Sequence, residues 1–147
     1  MATAVISGRR LSMGDVVDKL NRLEETRDMD VTELIDRYCE VWTEANADRR
    51  SKLLASVWHP NATYSDPTVH AANAAELVAH IAKVQAGRPG AKIVRTSAVD
   101  VHHNVARFAW QMVKADGSAM PQGLDIAFLA PGATKITRII GFFGPLA

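Results

Sequence analysis

Val105-Ala106-Arg107-Phe108-Ala109-Trp110-Gln111-Met112-Val113-Lys114 repeats its apolar residues with a period of two and is rich in β-branched and aromatic side chains, the pattern of a long strand with one buried face. The same period holds before it, over Ile93 to Val101, and after it, over Leu124 to Leu129 and Ile136 to Phe143. The separators are short. His102-His103-Asn104, Asp116-Gly117-Ser118 with Pro121, and Pro131-Gly132 are turn chemistry, and spacers of that length join neighbouring strands as an antiparallel meander.

Upstream of Lys92 the period is helical. Ser12 is an available N-cap for a segment with Val16, Leu20 and Leu23 on one narrow face, and residues 1 to about 11 read as a loose tail. Thr32 is placed to cap a stronger helix in which Leu34, Ile35, Tyr38, Val41 and Trp42 form a continuous apolar face. Leu53, Leu54, Val57 and Trp58 mark a shorter helix that Pro60 is expected to end. Asn61-Ala62-Thr63-Tyr64-Ser65-Asp66-Pro67 then reads as a strand closed by a carboxylate and a proline. Asn73 and Glu76 stand in capping-box positions ahead of Leu77, Val78, Ile81 and Val84, with Gly87 and Pro89 at the far end. Helices followed by a run of long strands indicate an α+β fold, with helices packed on one face of a curved antiparallel sheet. The expected organisation is an N-terminal extension over residues 1–30 and one domain over residues 31–147.

Composition fits a globular chain. Of 147 residues, 48% are hydrophobic and 22% charged, which argues against extended disorder. The formal charge of +1 comes with no block of like charges, so no nucleic-acid or membrane partner is expected. Arg9-Arg10 and Arg49-Arg50 read as solvated surface pairs. Cys39 is the only cysteine, which excludes an internal disulfide and fits a reducing, cytoplasmic setting; no stretch approaches membrane-spanning length. His59, His70 and His80 lack metal-ligand spacing with an acidic partner, His102 and His103 sit at a turn, and no metal site is assigned. Nucleophile-elbow, phosphate-loop and dinucleotide motifs are absent.

On four segments the chain resembles the ketosteroid isomerase and SnoaL-like polyketide cyclase branch of the nuclear transport factor 2 superfamily: Asp36-Arg37-Tyr38, Ala62 to Pro67, Leu124-Asp125, and Gly141-Phe142-Phe143-Gly144. The resemblance covers roughly residues 32 to 147. It implies a cone of three helices and a bent sheet around an apolar pocket, often in a dimer, and often an enzyme without metal or organic cofactor. Residue by residue it implies that Asp66 is a catalytic base, and that Tyr38 and a protonated Asp125 bind an oxyanion. The chain departs from the pattern between Tyr38 and Asp66, where it is about four residues longer. Trp42, one turn beyond Tyr38, therefore competes for the pocket-facing place.

The implied chemistry is physically coherent. Partial burial makes a carboxylate more basic, and two donors in a dry site stabilise the charge that grows on an enolate oxygen. Plainer readings stand beside it: Asp66 as a turn residue, Tyr38 as an ordinary core tyrosine, Asp125 in a structural ion pair. Strand alternation sets Asp125 on one face with Ala127 and Leu129, so an inward carboxyl is expected there. Trp42, Trp58, Tyr64, Trp110 and Phe143 are the expected pocket lining. Phe128 and Phe142 fall on the opposite strand face, which suggests a homodimer formed through the sheet. The expected activity is cofactor-independent proton transfer on a small hydrophobic carbonyl compound. The rivals are a binding or assembly module without chemistry and, more distantly, an epoxide hydrolase of the limonene-epoxide type; the latter needs a carboxylate near Arg107, where Phe108, Ala109 and Trp110 stand instead.

Overall fold

A computed structural model describes residues 12–146, without the side chains of residues 21–30. The expected tail, with Arg9 and Arg10, and the side chain of Leu23 lie outside the described residues. Among the described residues three α-helices and seven strands follow one another as α1 (Met13–Thr43), α2 (Ala47–Val57), β1 (Trp58–Asp66), β2 (Val69–Ala71), α3 (Ala74–Gly87), β3 (Lys92–Arg95), β4 (Asp100–His102), β5 (Val105–Val113), β6 (Gly123–Leu129) and β7 (Ile136–Phe143). The class is α+β: helices pack on a curved, open sheet of seven strands. No helix among the described residues is long and apolar enough to cross a membrane.

Ser12 caps α1 as expected: its Oγ accepts from Asp15 N at 3.1 Å, and Asp15 Oδ2 accepts from Ser12 N at 3.0 Å. Thr32 caps nothing. It lies inside a single helix of 31 residues, because no glycine or proline interrupts the chain between Asp15 and Thr43 and local capping chemistry cannot compete with a continuous ladder. Burial divides the helix instead. Residues 12–20 are exposed, whereas Val31, Ile35, Tyr38 and Val41 are buried against the sheet and the other helices.

The turn into α2 holds a correction. Arg49 is exposed, but Arg50 is buried, with Nε donating to Glu44 O at 3.1 Å and Nη2 to Gln85 Oε1 at 2.6 Å. Gln85 Nε2 in turn donates to the carbonyls of Trp42 (2.9 Å) and Glu44 (3.0 Å). One guanidinium thus satisfies the carbonyl end of α1 and ties it to α3, a use of arginine that sequence pairing alone does not reveal.

Two further boundaries differ from expectation. Helix α2 stops at Val57, and Pro60 lies within β1, where the register against β7 shifts between Trp58 and Thr63; a residue without an N–H is tolerated at such an irregularity. The segment Ile93 to Val101 is two strands, both paired with β5. Ser97 interrupts it: its hydroxyl oxygen accepts from Ala109 N at 2.8 Å and takes the donor a continuous ladder would have used.

Strand order is β2-β1-β7-β6-β5-β3, with β4 also on β5. The meander β5-β6-β7 is antiparallel as expected, but β7 closes on β1 in parallel, which makes the sheet mixed. The core lies between the inner sheet face, with Phe108, Ala127 and Ile139, and the helices, with Ile35, Leu54, Leu77 and Ile81. The phenylalanine, leucine and isoleucine side chains among these each contribute about 1.5–3 kcal/mol by leaving water.

Candidate active site

Three neighbouring strands carry the acidic end of the site. Asp125 on β6 pairs with Phe108 on β5 and with Gly141 on β7, while Asp66 ends β1 one step beyond the Ser65–Ile140 pairing. Glycine at 141 makes the meeting possible. A β-carbon built there would lie 2.8 Å from Asp125 Oδ1 and 3.6 Å from Asp66 Cβ, so any side chain would displace one carboxylate. Gly123 does the same for Trp110, whose indole ring occupies the space a β-carbon would need.

A cavity of about 540 Å³ opens over these residues, a size usual for sites that hold small organic ligands. Asp66, Asp125 and Tyr38 all line it, as do Trp42, Tyr64 and Trp110. Tyr38 and Trp42 share the wall, so the longer connection upstream of Asp66 turns neither away. Phe143 lines the cavity and meets the edge of Trp110 at 6.0 Å between ring centroids. Trp58 does not line it: the ring is buried and stacks on Tyr38 at 6.0 Å, supporting that side chain from behind. The remaining wall includes Met112, Met120 and Pro121, with Lys83 and Arg88 as its cations.

Each acid is held differently. Asp125 is buried and, among the described residues, accepts one hydrogen bond, from Trp110 Nε1 to Oδ1 at 2.8 Å. Burial pushes its carboxyl up to about 7; the Trp110 bond opposes that and the charge of Asp66 adds to it. At neutral pH such a group is a ready proton donor. Asp66 is surrounded by donors: Tyr64 OH at 2.6 Å to Oδ2, and Thr68 N (2.7 Å), Thr68 Oγ1 (2.7 Å) and Val69 N (3.1 Å) to Oδ1. This is an Asx-type turn built into the cavity wall.

Tyr38 Oη is fully buried and has no hydrogen-bond partner among the described residues. Burial first, then the nearby Asp125, raises its ionisation well above the ordinary phenol range, so it is a neutral donor at any ordinary pH. An orphaned hydroxyl in a cavity wall costs about 1–3 kcal/mol unless a ligand or water accepts from it. Cys39 also reaches the wall, but burial pushes its thiol up to about 12, which leaves it unreactive.

His80 is the member that spacing arguments missed. On α3 it lines the cavity with Nε2 3.8 Å from Asp66 Oδ2, and its ring lies 5.8 Å from Trp42 and 6.3 Å from Tyr64. Judged as a metal ligand it had no partner. The usable signal was its position one turn beyond Leu77 and one residue before Ile81, which keeps it on the inward side of α3. His102 and His103 are exposed at their turn, and among the described residues no group of three or more His, Cys, Asp and Glu side chains forms a metal site.

Comparison with solved structures places this architecture. A candidate isomerase of the SnoaL-like family from Agrobacterium tumefaciens superposes with a TM-score of 0.74 at 26% identity, covering 80% of this chain and 99% of that one. A candidate SnoaL-like polyketide cyclase from a Jannaschia species gives 0.62 at 15% identity over 92% and 90%. A nuclear transport factor 2-like superfamily protein from Salmonella enterica gives 0.63 at 18% over 84% and 95%. No protein-family model and no curated protein matches the sequence.

Proposed function

We propose that the chain, whose fold is that of the SnoaL-like and nuclear transport factor 2-like structures on which it superposes, is an acid/base enzyme that moves a proton on a small hydrophobic carbonyl compound without a cofactor. The observation that carries the reading is the unpartnered Tyr38 hydroxyl on the same cavity wall as Asp125, whose carboxyl is pushed up to about 7. A carbonyl oxygen between these two donors gains stabilisation as it becomes an enolate, an effect worth on the order of 2.7–4 kcal/mol per donor in comparable sites. The Asp66 side of the cavity, with His80 beside it, takes the proton from the adjacent carbon. The aromatic wall accounts for a hydrophobic substrate.

A second reading draws on one observation: Asp66 is already engaged by four hydrogen bonds, as a structural turn residue would be. Under it the cavity binds a ligand without chemistry. Proton NMR in D₂O with 2-tetralone, a bicyclic ketone small enough for the cavity, separates the two. The enzyme reading expects α-hydrogen exchange faster than in buffer and slowed in Asp125→Asn. The binding reading expects quenching of tryptophan fluorescence by the ketone with exchange at the buffer rate. A homodimer through the outer sheet face belongs to the same proposal, supported by the exposed pair of Leu124 opposite Phe142.

A further inference from the structure

Asp66 is the most heavily engaged acceptor in the cavity. An ionised carboxylate offers roughly four lone-pair sites. Thr68 N, Thr68 Oγ1 and Val69 N converge on Oδ1, and Tyr64 OH takes a place on Oδ2 at 2.6 Å. A proton arriving from a ligand must displace one of these bonds. His80 is in the opposite condition. Its imidazole lines the cavity, is 17% exposed, and neither ring nitrogen has a hydrogen-bond partner among the described residues. Its ring lies 5.8 Å from that of Trp42 and 6.3 Å from that of Tyr64, and Nε2 stands 3.8 Å from Asp66 Oδ2.

Resting on the acid/base reading above, we infer that His80 takes the proton from the ligand and that Asp66 is the positioning residue behind it. The step balances within the site. A ring nitrogen of His80 bonds to the proton α to the carbonyl, the C–H pair becomes the new carbon–carbon π bond, and the carbonyl π pair moves to the oxygen facing Tyr38 and Asp125. The imidazolium so formed faces the Asp66 carboxylate, whose own hydrogen bonds stay intact throughout. Returning the proton to the same or a conjugated carbon restores neutral imidazole and the carbonyl. Imidazole is the side chain most often used this way, and a positioned base contributes about 10²–10⁴-fold.

The test is α-hydrogen exchange of 2-tetralone in D₂O by wild type, His80→Gln, His80→Ala and Asp66→Asn, each with and without added imidazole and each checked for folding by circular dichroism. The glutamine variant keeps the volume of the ring should the alanine variant unfold. The expected result is a loss of about 100-fold or more in both His80 variants, recovery by imidazole in His80→Ala alone, and a smaller, unrecovered loss in Asp66→Asn. Wild-type rates in both His80 variants beside abolished exchange in Asp66→Asn overturn the inference and leave the acid/base reading standing, with Asp66 as the base. Loss without recovery in His80→Ala also overturns it, since His80 then only supports the wall. A wild type no faster than buffer removes the acid/base reading and this inference together.

Discussion

Trp110 reaches from β5 across Gly123 to donate its indole N–H to Asp125 Oδ1 at 2.8 Å. Among the described residues that bond is the one contact favouring the ionised carboxylate, and it is outweighed: burial and the charge of Asp66 push Asp125 up to about 7. The pair therefore sets how readily the site gives up a proton. It also couples the site to the stability of the fold.

The sign of that coupling follows from linkage. Asp125 titrates near 7 folded and near 3.8 unfolded, so between these values the native state binds more protons. Stability contributed by this group falls as pH rises from about 4 to about 7 and is level above that. The full change is on the order of a few kcal/mol. Urea denaturation at pH 5 and pH 8 should show it in wild type and not in Asp125→Asn. Trp110→Phe removes the opposing hydrogen bond, so the Asp125 carboxyl signal in ¹³C NMR should titrate higher still.

Gly141→Ala tests the shared space of the two acids. The added β-carbon would meet Asp125 Oδ1 at 2.8 Å with Asp66 Cβ 3.6 Å away, so the Asp125 side chain must move or the strand must shift. Overpacking of this kind costs about 1–3 kcal/mol. The expected outcome is a lower denaturation midpoint together with weaker quenching of tryptophan fluorescence by 2-tetralone. An unchanged midpoint would mean that the strands yield freely.

Much of this site was legible in the sequence because alternation is a strong signal. The period of two put Asp125 inward with Ala127 and Leu129, and the helical stripe put Tyr38 and Trp42 on one face. What could not be read were contacts made through space by residues far apart in the chain. The parallel closure of β7 on β1, which brings Gly141 beside Asp66, leaves no local pattern. Arg50 looked like half of a surface pair because its acceptors are backbone carbonyls and Gln85, invisible to charge counting. His80 carries no metal-ligand spacing in the chain, and its contact with Asp66 forms only once α3 folds back over β1. Trp58, expected in the lining, opens β1 instead and is buried against Tyr38, a stacking between residues twenty positions apart that leaves no local pattern.

The outer face of the sheet carries the prediction of a homodimer. Leu124 and Phe142 are directly opposite each other on β6 and β7, 39% and 54% exposed, with Ile126 and Ile140 paired in the next inward-outward repeat. Phe128, expected to join that apolar face, is instead covered by the Arg138 guanidinium at 5.7 Å, so the patch is confined to one end of the strands. Burying it against a second copy removes both side chains from water. Light scattering should give twice the chain mass for wild type and the single mass for Phe142→Glu, with the circular dichroism of the two unchanged.

Tyr38→Phe separates stability from function at one atom. The hydroxyl is buried and has no hydrogen-bond partner within bonding geometry among the described residues, so its removal abolishes an unmet desolvation cost and leaves the ring stacked on Trp58. The variant should unfold at the same urea concentration as wild type or a higher one, the gain being at most about 1–3 kcal/mol. A ligand carbonyl, however, loses a donor whose removal in comparable sites slows reaction by about 10²–10³-fold. α-Hydrogen exchange of 2-tetralone should fall accordingly, while quenching by a hydrocarbon of the same shape, tetralin, should stay as in wild type because it offers no oxygen to the hydroxyl. A marked loss of stability in Tyr38→Phe would show that the hydroxyl is held by water or protein in the free state, and its availability to a ligand would no longer follow.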